Sequence, residues 1–254
     1  MRFDPLGRCT RLDVRNVYGV LVPSWDGFAD PGAGIGPADV GAHWQEMAQH
    51  TGQPMNSSLW ENDPVSSTIP ATAALLRVRD LAPEAEHTYL RRLRELVMAK
   101  GRNIARPEHL AAAALNIGLS EETAQQVALP LDATDLERIN QERRLMHELG
   151  ATAFPTLVFE SAGQQIRLTG VRRYQALVAA LQTLDEDAGP GTTLKAPGNT
   201  PVHLDQAFAQ VLDTYPRATT REVAAAGQDD PSTETALDRT ADRTGLLWAW
   251  RPTP

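Results

Sequence analysis

The pattern of apolar residues changes character at Gly150, and that break limits the folds open to this 254-residue chain. Residues 38–149 read as a succession of helices with short breaks and no strand alternation. Just after the break comes Phe154-Pro155-Thr156-Leu157-Val158-Phe159, a β-rich run too short for a helix. Its proline cannot donate to a ladder, so it belongs at the start or the edge of a strand. Ser161-Ala162-Gly163 marks a turn, and residues 164–171 then alternate Ile166 and Leu168 with polar neighbours. Helical period returns over 172–184 through Leu177, Val178, Leu181 and Leu184. Helix, hairpin and helix predict a small sheet with helices free to cover it.

Upstream, Leu12, Val14 and Val20-Leu21-Val22 predict a partly buried strand over 11–22, leaving the surface at Pro23. A Gly- and Pro-rich loop follows to Pro37, with Trp25 and Phe28 as anchors. Within the helical stretch, Ser66 and Ser67 stand where they would cap the helix containing Leu75, Leu76 and Val78. Residues 84–100 place Leu90, Leu93, Leu96 and Val97 on one stripe, and Thr134 with Glu137 has capping-box spacing before a helix that Gly150 stops. Beyond a Gly/Pro linker at 185–202, three helices (203–214, one opening at Thr219 with Glu222, and one from Asp230-Pro231 to Gly245) and a strand at 246–250 resemble a winged-helix module.

Composition removes several function classes. With a net charge of −8 and a pI near 5.3, nonspecific nucleic-acid or anionic-membrane binding is disfavoured. The C-terminal unit follows suit: five arginines face eight carboxylates, signs alternate along the would-be recognition helix, and a structural or protein-contact role is expected instead. No apolar run reaches the length of a spanning helix, and the N-terminus has no apolar signal core, so a cytoplasmic location is expected. Six histidines show no ligand spacing and the glycines near residue 34 follow no strand-to-helix turn, so no metal and no cofactor is assigned.

Four features remain as candidate sites. Pro155 is the sharpest: a trans bond merely starts a strand, whereas a cis bond would turn the chain and offer backbone polar groups to a partner. Trp25, Trp44 and Trp60 could line a peptide groove with Phe154 and Pro155, or pack as core between insert and sheet. Arg91, Arg92, Arg94, Lys100, Arg102 and Arg106, with Glu95 as their one acid, form a basic stretch that either docks an acidic partner or is a solvated helix face. Cys9, the single cysteine, is either a remnant nucleophile or an inert thiol.

Gly150-Ala151-Thr152-Ala153-Phe154-Pro155-Thr156-Leu157-Val158-Phe159, with the hairpin and helix after it, resembles the cis-proline half of the thioredoxin fold. The likeness is to DsbA-like proteins of the cytoplasmic FrnE type, which carry a large helical insertion. It extends through Gly19-Val20-Leu21-Val22-Pro23-Ser24-Trp25, His43-Trp44, Thr51-Gly52-Gln53-Pro54, Trp60 with Asp63-Pro64, Ser66-Ser67, Pro70-Ala71 and Gly101-Arg102-Asn103-Ile104-Ala105, in the family's order over about 17–184. It implies that Pro155 is the family's cis-proline, lying against the redox site and pairing with substrate backbone. The departure lies at Asp4-Pro5-Leu6-Gly7-Arg8-Cys9, where the family has Asp-Pro-Leu-Cys-x-x-Cys and then a long helix. One sulfur cannot both attack and resolve within a chain.

The expected architecture is therefore an α/β, thioredoxin-like domain (1–184) with a helical insertion over about 38–149. Its N-terminal strand and redox helix are reduced or missing. A linker (185–202) and a small winged-helix-like unit (203–254) complete it. The expected function is redox-inactive binding of a protein or peptide partner, as thioredoxin-fold adaptors do for bacterial proteases. The alternative is a thiol–disulfide oxidoreductase or isomerase whose C-x-x-C segment lies outside this chain. A second copy of the chain is a further expected partner, at the sheet edge that a missing first strand would leave open.

Overall fold

The break at Gly150 is a Schellman turn in the computed structural model, which describes residues 14–25, 36–161, 163–172, 174–184 and three C-terminal strands. Taking the α-helices in chain order, α7 (Ala133–Glu148) ends there. Gly150 adopts φ +64°, its N–H donates to the His147 carbonyl at 2.9 Å, and the Ala151 N–H donates to Met146 at 3.0 Å. A side chain would be strained in this left-handed conformation, and the space beside the glycine is filled by the Arg167 guanidinium. Arg167 donates to the Leu149 carbonyl at 3.0 Å, placing a cation at the negative end of the helix dipole.

Beyond the turn, β1 (Thr156–Ser161) pairs antiparallel with β2 (Gln164–Thr169), from Thr156 opposite Thr169 to Ser161 opposite Gln164. Gly163, at φ +79°, supplies the turn. α8 (Tyr174–Leu184) packs on both strands, and Phe159 is buried on this hairpin. Residues 14–19 and 140–184 lie in one compact unit.

The other unit contains the helical insertion. α1 (Pro37–Thr51) starts with proline at its first position, while Asp39 reaches back to the Gly36 N–H at 3.1 Å. α2 (Ser58–Asn62) is a short turn of helix. α3 (Ile69–Leu81) is the buried centre, with Ala71 to Leu76 and Val78 all inside. It touches α4 (Glu86–Arg94), α5 (Pro107–Asn116) and α6 (Glu121–Val127), which contribute Tyr89, Leu93, Leu110, Ala113 and Val127 to the core. Each fully buried leucine or valine is worth about 1.5–3 kcal/mol. Burial also pushes the Tyr89 phenol well above its ordinary pKa, and its O–H donates to the Leu110 carbonyl at 3.1 Å.

Arg77 of α3 ties down the connection after α6. Its guanidinium donates to the carbonyls of Val127 at 3.1 Å, Leu129 at 2.6 Å and Pro130 at 2.9 Å, and pairs with Asp135 at the head of α7. Burial acts to raise the Asp135 pKa. The Arg77 hydrogen bond, the Asp132 N–H and the charges of Arg77 and Arg138 outweigh it and hold the carboxyl below its usual value.

Several expectations need correction. Among the described residues the predicted strand 11–22 does not form; residues 14–22 are irregular. Their backbone groups are engaged elsewhere. The Tyr18 N–H donates to Glu142, the Val22 N–H donates to Thr68 Oγ1 at 3.1 Å, and the Val22 carbonyl accepts from the Thr68 N–H at 2.8 Å and from Ser67 Oγ at 3.2 Å. Ser67 therefore serves this clamp and the Ile69 N–H, and neither serine is the N-cap of α3, which is Thr68. The capping box of α7 is Asp132 with Asp135, not Thr134 with Glu137: each aspartate accepts the other's N–H, at 2.9 and 3.1 Å. The predicted single helix over 84–100 is a 3₁₀ turn (Pro83–Ala85), then α4, then a π-helical turn (Glu95–Ala99).

In the C-terminal part, β3 (Arg217–Thr219), β4 (Leu237–Asp242) and β5 (Gly245–Trp250) form an antiparallel sheet of order β3-β5-β4. Residues 237–242 are thus a strand rather than the body of a third helix, and 246–250 is the strand expected. The linker, Cys9, Phe28 and the helix at 203–214 lie outside the described residues.

Candidate functional site

The segment that leads into β1 carries Phe154 and Pro155, the most exposed of the expected site residues among those described. The Phe154–Pro155 peptide bond is cis. The Pro155 carbonyl accepts the Gly170 N–H at 2.8 Å, which makes residues 155 and 170 a hydrogen-bonded pair of the ladder. Alternation along an antiparallel pair then sets the rest. Leu157 and Phe159 exchange bonds with β2, while the N–H and C=O groups of Thr156, Val158 and Glu160 point to the opposite edge. The sheet has two strands, so that edge takes no ladder partner among the described residues. Phe154 (52% exposed), just before the strand, and Leu157 (37%), on it, present apolar surface.

Behind Phe154 the backbone of Gly19 approaches so closely that a Cβ there would meet the ring at Cζ and Cε1, and Met146 Sδ at 3.1 Å. The neighbouring Tyr18 N–H is held by Glu142 Oε2 at 2.8 Å, a carboxylate only 7% exposed that also lies 3.5 Å from Arg15. Nothing in the local sequence marks Glu142 for this role; it is one acid on a charged helix, bonded to a residue 124 positions away.

The three tryptophans come together in the helical unit. Trp60 stands edge-on to Trp25 at 5.9 Å and to Trp44 at 5.2 Å, within a cluster of Val22, Val40, Leu59 and Val65. Trp60 Nε1 is buried with no acceptor among the described residues, a cost of about 1–3 kcal/mol. Two edge-to-face contacts of about 0.5–1.5 kcal/mol each are of the size needed to offset it. Trp60 is therefore core, and Trp25 and Trp44 are half-buried around it.

The basic stretch divides. Glu95, buried, is shared by Arg91 at 3.2 Å and Arg92 at 3.1 Å. Arg106 pairs with Asp63 at 2.7 Å, and that hydrogen bond, with one from Asn103, holds the Asp63 carboxyl below its usual range. Arg102 has no side-chain partner among the described residues. It lines a pocket of about 350 Å³ with Arg92, Leu96, His109, Ala112 and Asn116, which sequence reasoning did not find because its walls come from α4, the π-turn, the connection after it and α5.

Two-stranded hairpin, covering helix and large helical insert define a thioredoxin-like fold of the DsbA type. The chain is similar in structure to a putative protein disulfide isomerase from Nitrosomonas europaea, with a TM-score of 0.50 and 24% identity over 60% of this chain and 74% of that one. A looser overlay, with a TM-score of 0.46 and 29% identity, is found with the cytosolic disulfide reductase DsbM from Pseudomonas aeruginosa, over 52% of this chain and 66% of that one. In sequence it is 24% identical over 149 residues to the ClpXP adapter protein SpxH of Halalkalibacterium halodurans. The match takes in 58% of this chain and spans about half, 48%, of that relative's length. No protein-family model matches the chain. No helix among the described residues is long and apolar enough to cross a membrane.

Proposed function

We propose that this chain is a redox-inactive member of the DsbA-like class that binds an extended segment of a partner protein along the outer edge of β1. The observation that carries the reading is the pairing of that edge, with Thr156, Val158 and Glu160 offering backbone groups, with a single cysteine in the sequence. An extended peptide satisfies such groups by strand addition, and side chains beside it supply specificity. Phe154, Pro155 and Leu157 would contact the added strand. Of the three tryptophans expected to line a groove, Trp25 and Trp44 keep partial exposure, within the unit of the helical insertion. Cys9 alone cannot complete an attack-and-resolve cycle. The adapter name of the Halalkalibacterium halodurans relative supports a protein-binding role. The same edge would also take a second copy of this chain.

The test uses the full chain and a defined extended probe, reduced and carboxymethylated insulin B chain carrying a fluorophore. Saturable anisotropy is expected, and Val158→Pro, which removes one outward N–H, weakens it at least about tenfold. Insulin reduction by dithiothreitol should not be accelerated. Turnover that disappears in Cys9→Ser overturns the redox-inactive reading; binding unchanged in Val158→Pro overturns the edge. Light scattering that shows a dimer dispersed by Val158→Pro would assign the edge to self-association.

A further inference from the structure

We propose that the pocket between α4, the π-helical turn and α5 binds a small oxyanion, a phosphate or carboxylate group, through Arg92 and Arg102. The site is in the helical insertion and does not depend on the β1 edge. Its construction begins with the π-turn. The Lys100 N–H donates to the Glu95 carbonyl at 3.0 Å, five residues back, and the Arg102 N–H donates to Leu96 at 2.9 Å. Gly101, at φ +60°, makes the reversal between them, and Asn56 packs against it so tightly that a Cβ would lie 2.9 Å from Nδ2. These bonds carry Arg102 back beside Leu96 at the mouth of the pocket.

The walls are then charged in one sense. Arg92 is held in place by Glu95 through Nη1 at 3.1 Å and by Asn116 Oδ1 through Nη2 at 3.3 Å, and its Nε is buried with no acceptor among the described residues. Glu95 is shared with Arg91, so one carboxylate serves two guanidiniums. His109 donates its Nδ1–H to the Asn103 carbonyl at 2.8 Å, which fixes the ring in the pocket wall. No carboxylate lines the pocket among the described residues. Two guanidinium groups, one of them with no side-chain partner, match the paired oxygens of a phosphate or carboxylate. A volume of 350 Å³ lies at the lower end of small-molecule sites.

Calorimetric titration of the full chain with inorganic phosphate and, separately, with malonate tests the proposal, against sodium chloride at equal ionic strength. Saturable binding of at least one anion is expected, and which one binds identifies the group. Arg102 is exposed, so Arg102→Ala should melt within a degree or so of the parent while binding at least about tenfold more weakly. Ala112→Leu keeps every charge but fills the pocket, and should abolish binding. The proposal is overturned if neither anion saturates, if Arg102→Ala binds like the parent, or if Ala112→Leu leaves affinity unchanged.

Discussion

The ring of Phe154 lies over Gly19 so closely that a methyl group at residue 19 would sit 2.9 Å from Cε1 and 3.1 Å from Met146 Sδ. Gly19 is thus a site of close approach rather than of unusual dihedral angle. It couples the irregular segment at 14–19 to the residue that precedes Pro155.

Gly19→Ala should therefore act through Phe154. The ring is half exposed and can swing away, so the loss of stability is expected to stay near 1 kcal/mol. In a Phe154→Ala background the same change should cost almost nothing. A double-mutant cycle by urea unfolding measures the coupling, and additive costs would separate the two residues.

Glu142 makes a second, sharper prediction. Glu142→Leu leaves the Tyr18 N–H without its acceptor and should cost about 1–3 kcal/mol, whereas Glu142→Gln keeps an acceptor oxygen and costs less. Amide exchange at Tyr18 should accelerate in the leucine variant and much less in the glutamine one.

Asp135 predicts acid sensitivity. Its folded pKa is depressed, so its contribution is present in full above the unfolded value near 3.9 and is lost as pH falls through the folded value. Asp135→Asn should cost about 3 kcal/mol at pH 7, because it leaves the half-buried Arg77 charge without its carboxylate. The gap to the parent should narrow toward pH 3. Urea midpoints across that range check this, and a gap independent of pH would reject the ion pair as its source.

The ladder of β1 predicts an asymmetry between adjacent prolines. Val158→Pro removes an outward N–H and should cost the hairpin about 1 kcal/mol or less, the change edge strands tolerate. Leu157→Pro breaks a bond to β2 and should cost about 3 kcal/mol. Equal losses in thermal melts would show that the outer edge is not open.

Local rules were legible in the sequence wherever the physics is local. The stop at Gly150, the turn before Gly163 and the apolar stripe through Leu93 follow from backbone dihedral preference and periodicity within a few residues. The resemblance to the DsbA-like class rested on such short blocks too, and the fold agrees with it. The segment 11–22 had the alternation of a strand, yet a strand also needs a ladder partner. Tyr18 and Val22 instead gave their backbone groups to Glu142, Ser67 and Thr68.

What the sequence determined alone is therefore the succession of helices, the break, the hairpin and the shortage of sulfur. Tertiary structure decided which polar groups meet: the Arg77 guanidinium with Asp135 across 58 positions, and the Tyr18 N–H with Glu142 across 124. Each of these groups, read in its own window, is an ordinary polar group that water would satisfy equally well. Packing removes that water, and a buried donor or charge must then take the acceptor that the fold has brought beside it.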